Sequence, residues 1–238
     1  METLKITSLQ NQKIKDLAKL DSKSDLFLVE GFHLVEMALE AEVVEEIFAL
    51  EPYKEGIKTT LVTPEIIKKL ASTKTPEGII ALCHKKNPLP LKSSRVLVLD
   101  GVQDPGNVGT LLRTALSFGF MDVVLGQGSA DLYNNKTLMA SQGSIFKLNV
   151  LSNINLVEAL PIYKKDGYFL LSTDLKTETT LATLVKPGKL ILVLGNEGQG
   201  VSPAVQALAD TRIRLEMSNI DSLNVAIAGG ILMYSLRN

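Results

Sequence analysis

The chain has 238 residues, 45% of them apolar and 21% charged, and 25 basic side chains stand against 26 acidic ones for a formal net charge of −1. That length and apolar content allow one large or two modest globular domains, and the near-neutral balance excludes coating of nucleic acid through bulk positive charge while leaving room for a local basic patch. The one cysteine, Cys83, excludes an internal disulfide and, with only His33 and His84 beside it, no zinc or other metal site is expected. No apolar run is long enough to cross a bilayer, and Met1-Glu2-Thr3-Leu4-Lys5 lacks the apolar core of a signal peptide, so a cytoplasmic protein without membrane contact is expected.

Residues 5–23 set Lys5, Lys13, Lys15, Lys19 and Lys23 among Ile6, Leu9, Ile14, Leu17, Ala18 and Leu20, which predicts a short amphipathic helix with a basic outer side. Two readings of that side stay open, a solvated face and a surface that tracks phosphates. A buried strand at 26–29 closed by Glu30-Gly31, a helix over 32–41 and a strand over 43–50 follow. The polar loop 51–56, a strand over 59–63, a Pro64-initiated helix through Ala71 and a strand over 78–83 complete a βαββαβ-like block. His33 reads as a surface or capping residue, and Thr73-Lys74-Thr75-Pro76-Glu77-Gly78 as a connector or a substrate-facing loop. The two prolines and missing periodicity of residues 86–94 describe an extended linker. This divides the chain into a smaller α/β domain at 1–85 and a larger one at 95–238.

Beyond the linker, strands and helices alternate: strand 95–99, helix 108–118, strand 121–125, helix 134–142, strand 147–151, helix 155–165, strands 168–172 and 189–194, helix 203–209, strand 212–217 and helix 222–236. The alternation predicts a mainly parallel sheet with helices on both faces. Three stretches carry residues suited to chemistry. In the first, the strand at 96–99 leads through Asp104-Pro105-Gly106-Asn107, a turn in which proline presets φ, into a helix for which Asn107 is a ready N-cap. Arg113 falls on that helix's outer side, and the free amides of the helix N-terminus suit an anion. In the second, the apolar strand 190–194 runs into Gly195-Asn196-Glu197-Gly198-Gln199-Gly200, where glycines admit close backbone approach and Glu197 reaches the carboxyl edge of the strand. In the third, Leu215-Glu216-Met217 leads to Asp221-Ser222-Leu223-Asn224, with Asp221 or Ser222 placed to cap the last helix and Asn224 in its first turn.

Read as Gly195-x-x-Gly198-x-Gly200 with Glu216 further on, the second stretch also imitates a dinucleotide site of an oxidoreductase. The glycine order is wrong for that motif, and Ser202-Pro203 starts the following helix too late to hold a pyrophosphate. Gly126-Gln127-Gly128 reads as a turn.

In order and spacing, the three stretches resemble the three motifs of the SpoU (TrmH-type) branch of the SPOUT RNA methyltransferases. Met139-Ala140-Ser141-Gln142-Gly143-Ser144-Ile145-Phe146 is similar to that family's intervening segment. Residues 1–85 resemble, more loosely, the ribosomal-protein-like RNA-binding domain that often precedes it. The resemblance implies a trefoil-knotted α/β domain that binds S-adenosylmethionine, forms a homodimer and methylates a ribose 2′-hydroxyl of RNA, ribosomal RNA in preference to tRNA. It carries Asn107, Arg113, Glu197, Ser222 and Asn224 over as the catalytic set, and Gly195, Asn196, Gly198, Leu215, Met217 and Leu223 as the cofactor cradle. Two departures stand out. Leu215-Glu216-Met217 replaces the family's Ile-Pro-Met with a loop one residue short, and Ser24-Asp25 stands where an Arg usually precedes the 26–29 strand. A relative that binds RNA without catalysis is therefore a second alternative, beside the oxidoreductase.

Overall fold

The computed structural model describes residues 4–220 and 222–237, and the chain divides into two compact units, residues 1–87 and 88–238. The first unit runs β1 (Lys5–Ile6), α1 (Gln12–Leu17), β2 (Leu26–Glu30), α2 (Phe32–Glu40), β3 (Val44–Ala49), β4 (Thr59–Val62), α3 (Pro64–Leu70) and β5 (Ile79–His84). Its mixed sheet has the order β1-β4-β3-β5-β2, parallel from β1 to β3 and antiparallel across β5. The short amphipathic helix expected within 5–23 is confined to Gln12–Leu17 and is preceded by a strand at Lys5–Ile6. Leu61 N donates to Leu4 O, seating Lys5–Ile6 beside β4, and the Asn11 side chain caps a new start by accepting from Lys13 N. An edge ladder and a good N-cap together outweigh the weak helical preference of Thr7 and Ser8.

One charge lies inside this unit. The Glu46 side chain is fully buried on β3 and accepts from Lys13 Nζ at 2.6 Å, Lys58 Nζ at 2.8 Å and Thr60 Oγ1 at 2.7 Å. Burial pushes its carboxyl up, but these three donors outweigh the burial and hold it below the ordinary glutamate range. A carboxyl that titrates lower in the folded chain than in the unfolded one contributes fully above the unfolded pKa, and loses that contribution as pH falls through the folded one. Glu46→Ala strips the buried Thr60 hydroxyl of its acceptor and is expected to cost the unit about 2–3 kcal/mol at neutral pH. Urea unfolding checks this, and the difference from wild type should shrink in acid.

The second unit comprises β6 (Arg95–Asp100), α4 (Pro105–Ser117), β7 (Asp122–Gly126), α5 (Asn135–Ser141), a 3₁₀ turn (Ser144–Phe146), β8 (Asn149–Ile154), α6 (Leu156–Lys165), β9 (Phe169–Thr173), β10 (Leu190–Gly195), α7 (Pro203–Gln206), β11 (Thr211–Ile213) and α8 (Val225–Leu236). Its six strands are all parallel, in the order β11-β9-β10-β6-β7-β8. Leu156 and Leu160 of α6 and Val205 of α7 pack with Val96, Val98, Val124, Ile191 and Val193 on one face. On the other face α8 meets α4 so closely that a Cβ on Gly229 would lie 2.5 Å from Leu111 Cδ2 and 2.6 Å from Leu194 Cδ1. Helices thus cover both faces of a mainly parallel sheet.

Several boundaries differ from the sequence reading. The strand expected at 147–151 is Asn149–Ile154, because Lys147 and Leu148 donate their amides to Ser144 O and so close off the 3₁₀ turn before the strand begins. The strand expected over 212–217 stops at Ile213, because Arg214 N donates to Thr179 O and β9 ends at Thr173. Much of the expected linker is fixed to the second unit. Lys92 N and Ser93 N donate to Asp122 Oδ2 at 2.8 and 2.6 Å, and Leu89 N donates to Asn149 Oδ1.

Candidate active site

An all-parallel sheet delivers the carboxyl ends of its strands to one edge. The chain fills β6, β7 and β8 outward on one side, then returns to place β10 on the other side of β6. That reversal opens a crevice between the loops after β6 and β10, the usual ligand position in such sheets.

Both crevice loops are tied down. After β10, Asn196 N donates to Gly200 O at 3.0 Å and Gly200 N returns a bond to Asn196 O at 2.9 Å, closing the Gly195–Gly200 segment on itself. Asn196 Oδ1 accepts from Gly198 N and Gln199 N, while its Nδ2 donates to Gly101 O at 2.9 Å in the loop after β6. The closure leaves Glu197 projecting toward α4. Proline at the first helical position sets the α4 start at Pro105, with Asp104 as N-cap, so Asn107 lies in the first turn and is not the cap expected from sequence. Asp104 Oδ1 accepts from Asn107 N at 2.9 Å.

Three side chains drawn from distant parts of the chain meet there. Asn107 Nδ2 donates to Glu197 Oε1 at 3.0 Å, and Asn224 Nδ2 donates to Asn107 Oδ1 at 3.0 Å. Asn224 is itself the N-cap of α8, its Oδ1 accepting from Ala226 N at 2.9 Å and Ile227 N at 3.3 Å. This corrects the expected cap at Asp221 or Ser222. Ser222 lies two residues too early, and Asp221 falls outside the described residues. With both ends of the Asn107 amide committed, its orientation is set by its partners. Burial raises the Glu197 carboxyl, yet the Asn107 amide and the Gln103 and Asp104 backbone N–H groups outweigh it and hold the pKa below the ordinary glutamate range. Glu197 is therefore a carboxylate at neutral pH.

The other candidates stand apart from this trio. Arg113 lies six residues beyond Asn107 along α4, exposed, and its guanidinium makes no hydrogen bond or ion pair among the described residues. Ser222 is exposed and likewise unbonded among the described residues. Leu215, Met217 and Leu223 are half-buried, and among the described residues the backbone of 215–220 makes no hydrogen bond. Gly195 is buried at the end of β10, whereas Gly198 is exposed. Sequence reasoning missed Asp104 as the organiser of the Asn107 turn, and with it Lys136, whose Nζ lies 2.8 Å from Asp104 Oδ2. The Asp-Pro pair, an N-cap followed by proline at the first helical position, was the available signal.

The dinucleotide alternative fails on topology. β9 lies between β10 and β11, so Glu216 leaves a strand two places from the glycine loop, and α7 spans only Pro203–Gln206. Among the described residues no group of three or more His, Cys, Asp or Glu could hold a metal ion, and no helix is long and apolar enough to cross a membrane.

Comparison with known proteins agrees with the fold. Residues 94–234 match the model of the SpoU rRNA Methylase family, and residues 11–81 match the MRM3-like substrate binding domain. A relative from Bacillus subtilis (strain 168), the 23S rRNA (guanosine(2553)-2′-O)-methyltransferase RlmP, is 36% identical over 245 residues, covering 98% of each chain. A solved RNA 2′-O ribose methyltransferase superposes with a TM-score of 0.80 at 28% identity, covering 98% of each chain. The AdoMet-bound rRNA methyltransferase from Sinorhizobium meliloti shares the fold, with a TM-score of 0.86 at 24% identity over 98% of this chain and 97% of that one.

Proposed function

The chain belongs to the SpoU rRNA methylase family and is an S-adenosylmethionine-dependent RNA 2′-O-ribose methyltransferase; from that premise we propose which residues do the work and on which RNA. The substrate is a ribosomal RNA. The full-length Bacillus relative acts on 23S rRNA, which supports large-subunit RNA over tRNA.

The observation that carries the site assignment is the Asn224–Asn107–Glu197 relay at the crevice between β10 and β6. S-adenosylmethionine would supply a methyl group on a sulfonium leaving group, passing it to the ribose 2′-oxygen and leaving S-adenosylhomocysteine, with the hydroxyl proton released to solvent. The protein's tasks are alignment and electrostatics, and alignment alone can be worth ~7–11 kcal/mol. Asn107 is held by partners at both ends and presents a fixed amide to the ribose. Glu197, ionised, holds that amide and the 103–104 loop. Arg113, permanently charged and planar, anchors the neighbouring phosphodiester. Ser222 orients the ribose or the donor. The residues fit a purine nucleoside donor: the unpaired backbone of 215–220 supplies edge hydrogen bonds, Leu215, Met217 and Leu223 supply apolar surface, and the closed loop at Gly195, Asn196 and Gly198 forms the other wall.

The second unit is trefoil-knotted, acts as a homodimer and works in the cytoplasm where its RNA is made; the shared SpoU fold supports the knot. Dimerisation is supported by α8, whose Ile227, Ile231 and Tyr234 recur along one stripe yet are 57%, 42% and 53% exposed. Tyr234 packs edge-on against Phe118 beyond the end of α4, so covering this stripe also brings α4, with Arg113, to the subunit boundary. Ile231→Asp is expected to convert a dimeric wild type to monomer in sedimentation velocity and to cut methyl transfer with it; a monomeric, active wild type would refute the arrangement.

Calorimetry with S-adenosylhomocysteine and, separately, NAD tests the function. Heat with the first alone is expected, followed by tritium transfer from labelled donor to 23S rRNA and mapping of the new 2′-O-methyl. Heat with NAD alone would overturn the reading, and RNA binding without cofactor heat would favour a non-catalytic relative.

A further inference from the structure

The pair Asp104–Lys136 joins the first stretch to α5 through a lysine that none of the three stretches contains, and it touches the relay directly. Asp104 divides its carboxylate: Oδ1 accepts from Asn107 N at 2.9 Å, and Oδ2 accepts from Lys136 Nζ at 2.8 Å. Its backbone N–H approaches the same Glu197 Oε1 that holds the Asn107 amide, at 3.4 Å. Lys136 sits in the first turn of α5, and α5 lies on α4 with almost no gap. A Cβ on Gly109 would fall 2.5 Å from Thr137 O and 2.6 Å from Ala140 Cβ. The lysine stem crosses the turn itself, where a Cβ on Gly106 would fall 3.2 Å from Lys136 Cε and 2.9 Å from Asp104 Oδ1. The glycines of Pro105-Gly106-Asn107-Val108-Gly109 are thus accounted for by α5 and its lysine.

We infer that Lys136, acting through Asp104, is a positioning residue for Asn107, fixing the first turn of α4 and neutralising one of the two carboxylates that flank it. The inference rests on the reading of the relay as a methyltransferase site. Two consequences follow from the geometry. Without Lys136 the Asp104 carboxylate is free to rotate off the Asn107 amide, loosening the backbone that aims the Asn107 side chain. The uncompensated charge of Asp104 then repels that of Glu197 across Asn107, which loosens the relay further. Lys136 and Asp104 are both exposed, at 63% and 44% of their side-chain surface, so the pair adds little to folding stability and its effect falls on turnover. The lysine and the Asn107 N–H hold the Asp104 carboxyl below its ordinary range, so the pair is charged at neutral pH.

The test compares full-length wild type, Lys136→Met, Lys136→Arg, Asp104→Asn and the double variant Lys136→Met/Asp104→Asn. The readouts are methyl transfer from tritiated S-adenosylmethionine to 23S rRNA transcribed in vitro, and calorimetric binding of S-adenosylhomocysteine. Lys136→Met is expected to lower kcat about 10–100-fold, with KM for RNA and cofactor affinity within about twofold of wild type. Lys136→Arg should recover most of the loss. The double variant should be no worse than the poorer single, because both changes break one path. A raised KM for RNA at unchanged kcat would overturn the inference by showing that Lys136 meets RNA itself, and multiplying losses in the double variant would do the same. A Lys136→Met enzyme equal to an active wild type would remove the positioning role and leave the methyltransferase reading standing. A wild type that binds no S-adenosylhomocysteine would overturn that reading, and this inference with it.

Discussion

Arg113→Ala is expected to lower single-turnover methyl transfer by ~10²–10³-fold while leaving S-adenosylhomocysteine affinity nearly unchanged. The expectation follows from what the guanidinium does not do. Exposed on α4 and unbonded among the described residues, it holds no element in place, so its removal should shift stability by no more than ~0.5 kcal/mol. Six residues along the helix from Asn107 it stands roughly 9 Å further along the axis, the reach of a group next to the reacting ribose and not of the ribose itself. The planar guanidinium, with five N–H donors and no acceptor, is an anchor and charge stabiliser and a poor base. Arg113→Lys keeps the charge and loses the planar fork, and should fall between wild type and alanine. Equal loss of turnover and cofactor affinity in the alanine variant would show that this role is wrongly assigned.

Gly195→Ala should remove cofactor binding and turnover together and cost the second unit about 3 kcal/mol, read by thermal unfolding alongside calorimetry. A Cβ there would lie 2.0 Å from Gly200 C and 2.1 Å from Val201 N. Both are backbone, so no side chain can swing aside. Relief requires opening the mutual Asn196–Gly200 bonds, which frees Glu197 from Asn107 and Asn196 from Gly101. Gly198→Ala is the control in the same loop. Its Cβ would meet only Asn196 Oδ1, at 3.6 Å, so little change in thermal unfolding is expected. Of these two glycines, close packing therefore demands only the first, which motif spacing alone does not reveal.

Much of the fold was legible because it is local. Runs such as Val96–Leu99 and Leu190–Leu194 are apolar on both faces, as strands buried in a parallel sheet must be, and the helical period in 108–116 identifies α4. Where two local choices are close in energy, sequence reasoning chose wrongly. Asp104 and Asn107 are both good N-caps, and Pro105 at the first helical position decides between them. Ser222 and Asn224 compete in the same way before α8, and the partner Asn107 across the crevice accompanies the choice of Asn224. Lys5–Ile6 was read as helix because the β4 edge that claims it lies more than fifty residues away.

By itself, the amino-acid sequence determined the strand–turn–helix order, the parallel class of the second unit and the family to which its three motifs belong, since each depends on residues within a turn or two of one another. Only the tertiary structure decided that Asn107, Glu197 and Asn224 bond in one relay while Arg113 and Ser222 stand clear of it, and that Asp104 and Lys136 brace its turn. Those bonds span up to 117 residues. They exist only because six parallel strands align their carboxyl ends at one edge and reverse direction between β6 and β10, a geometry that no local pattern encodes.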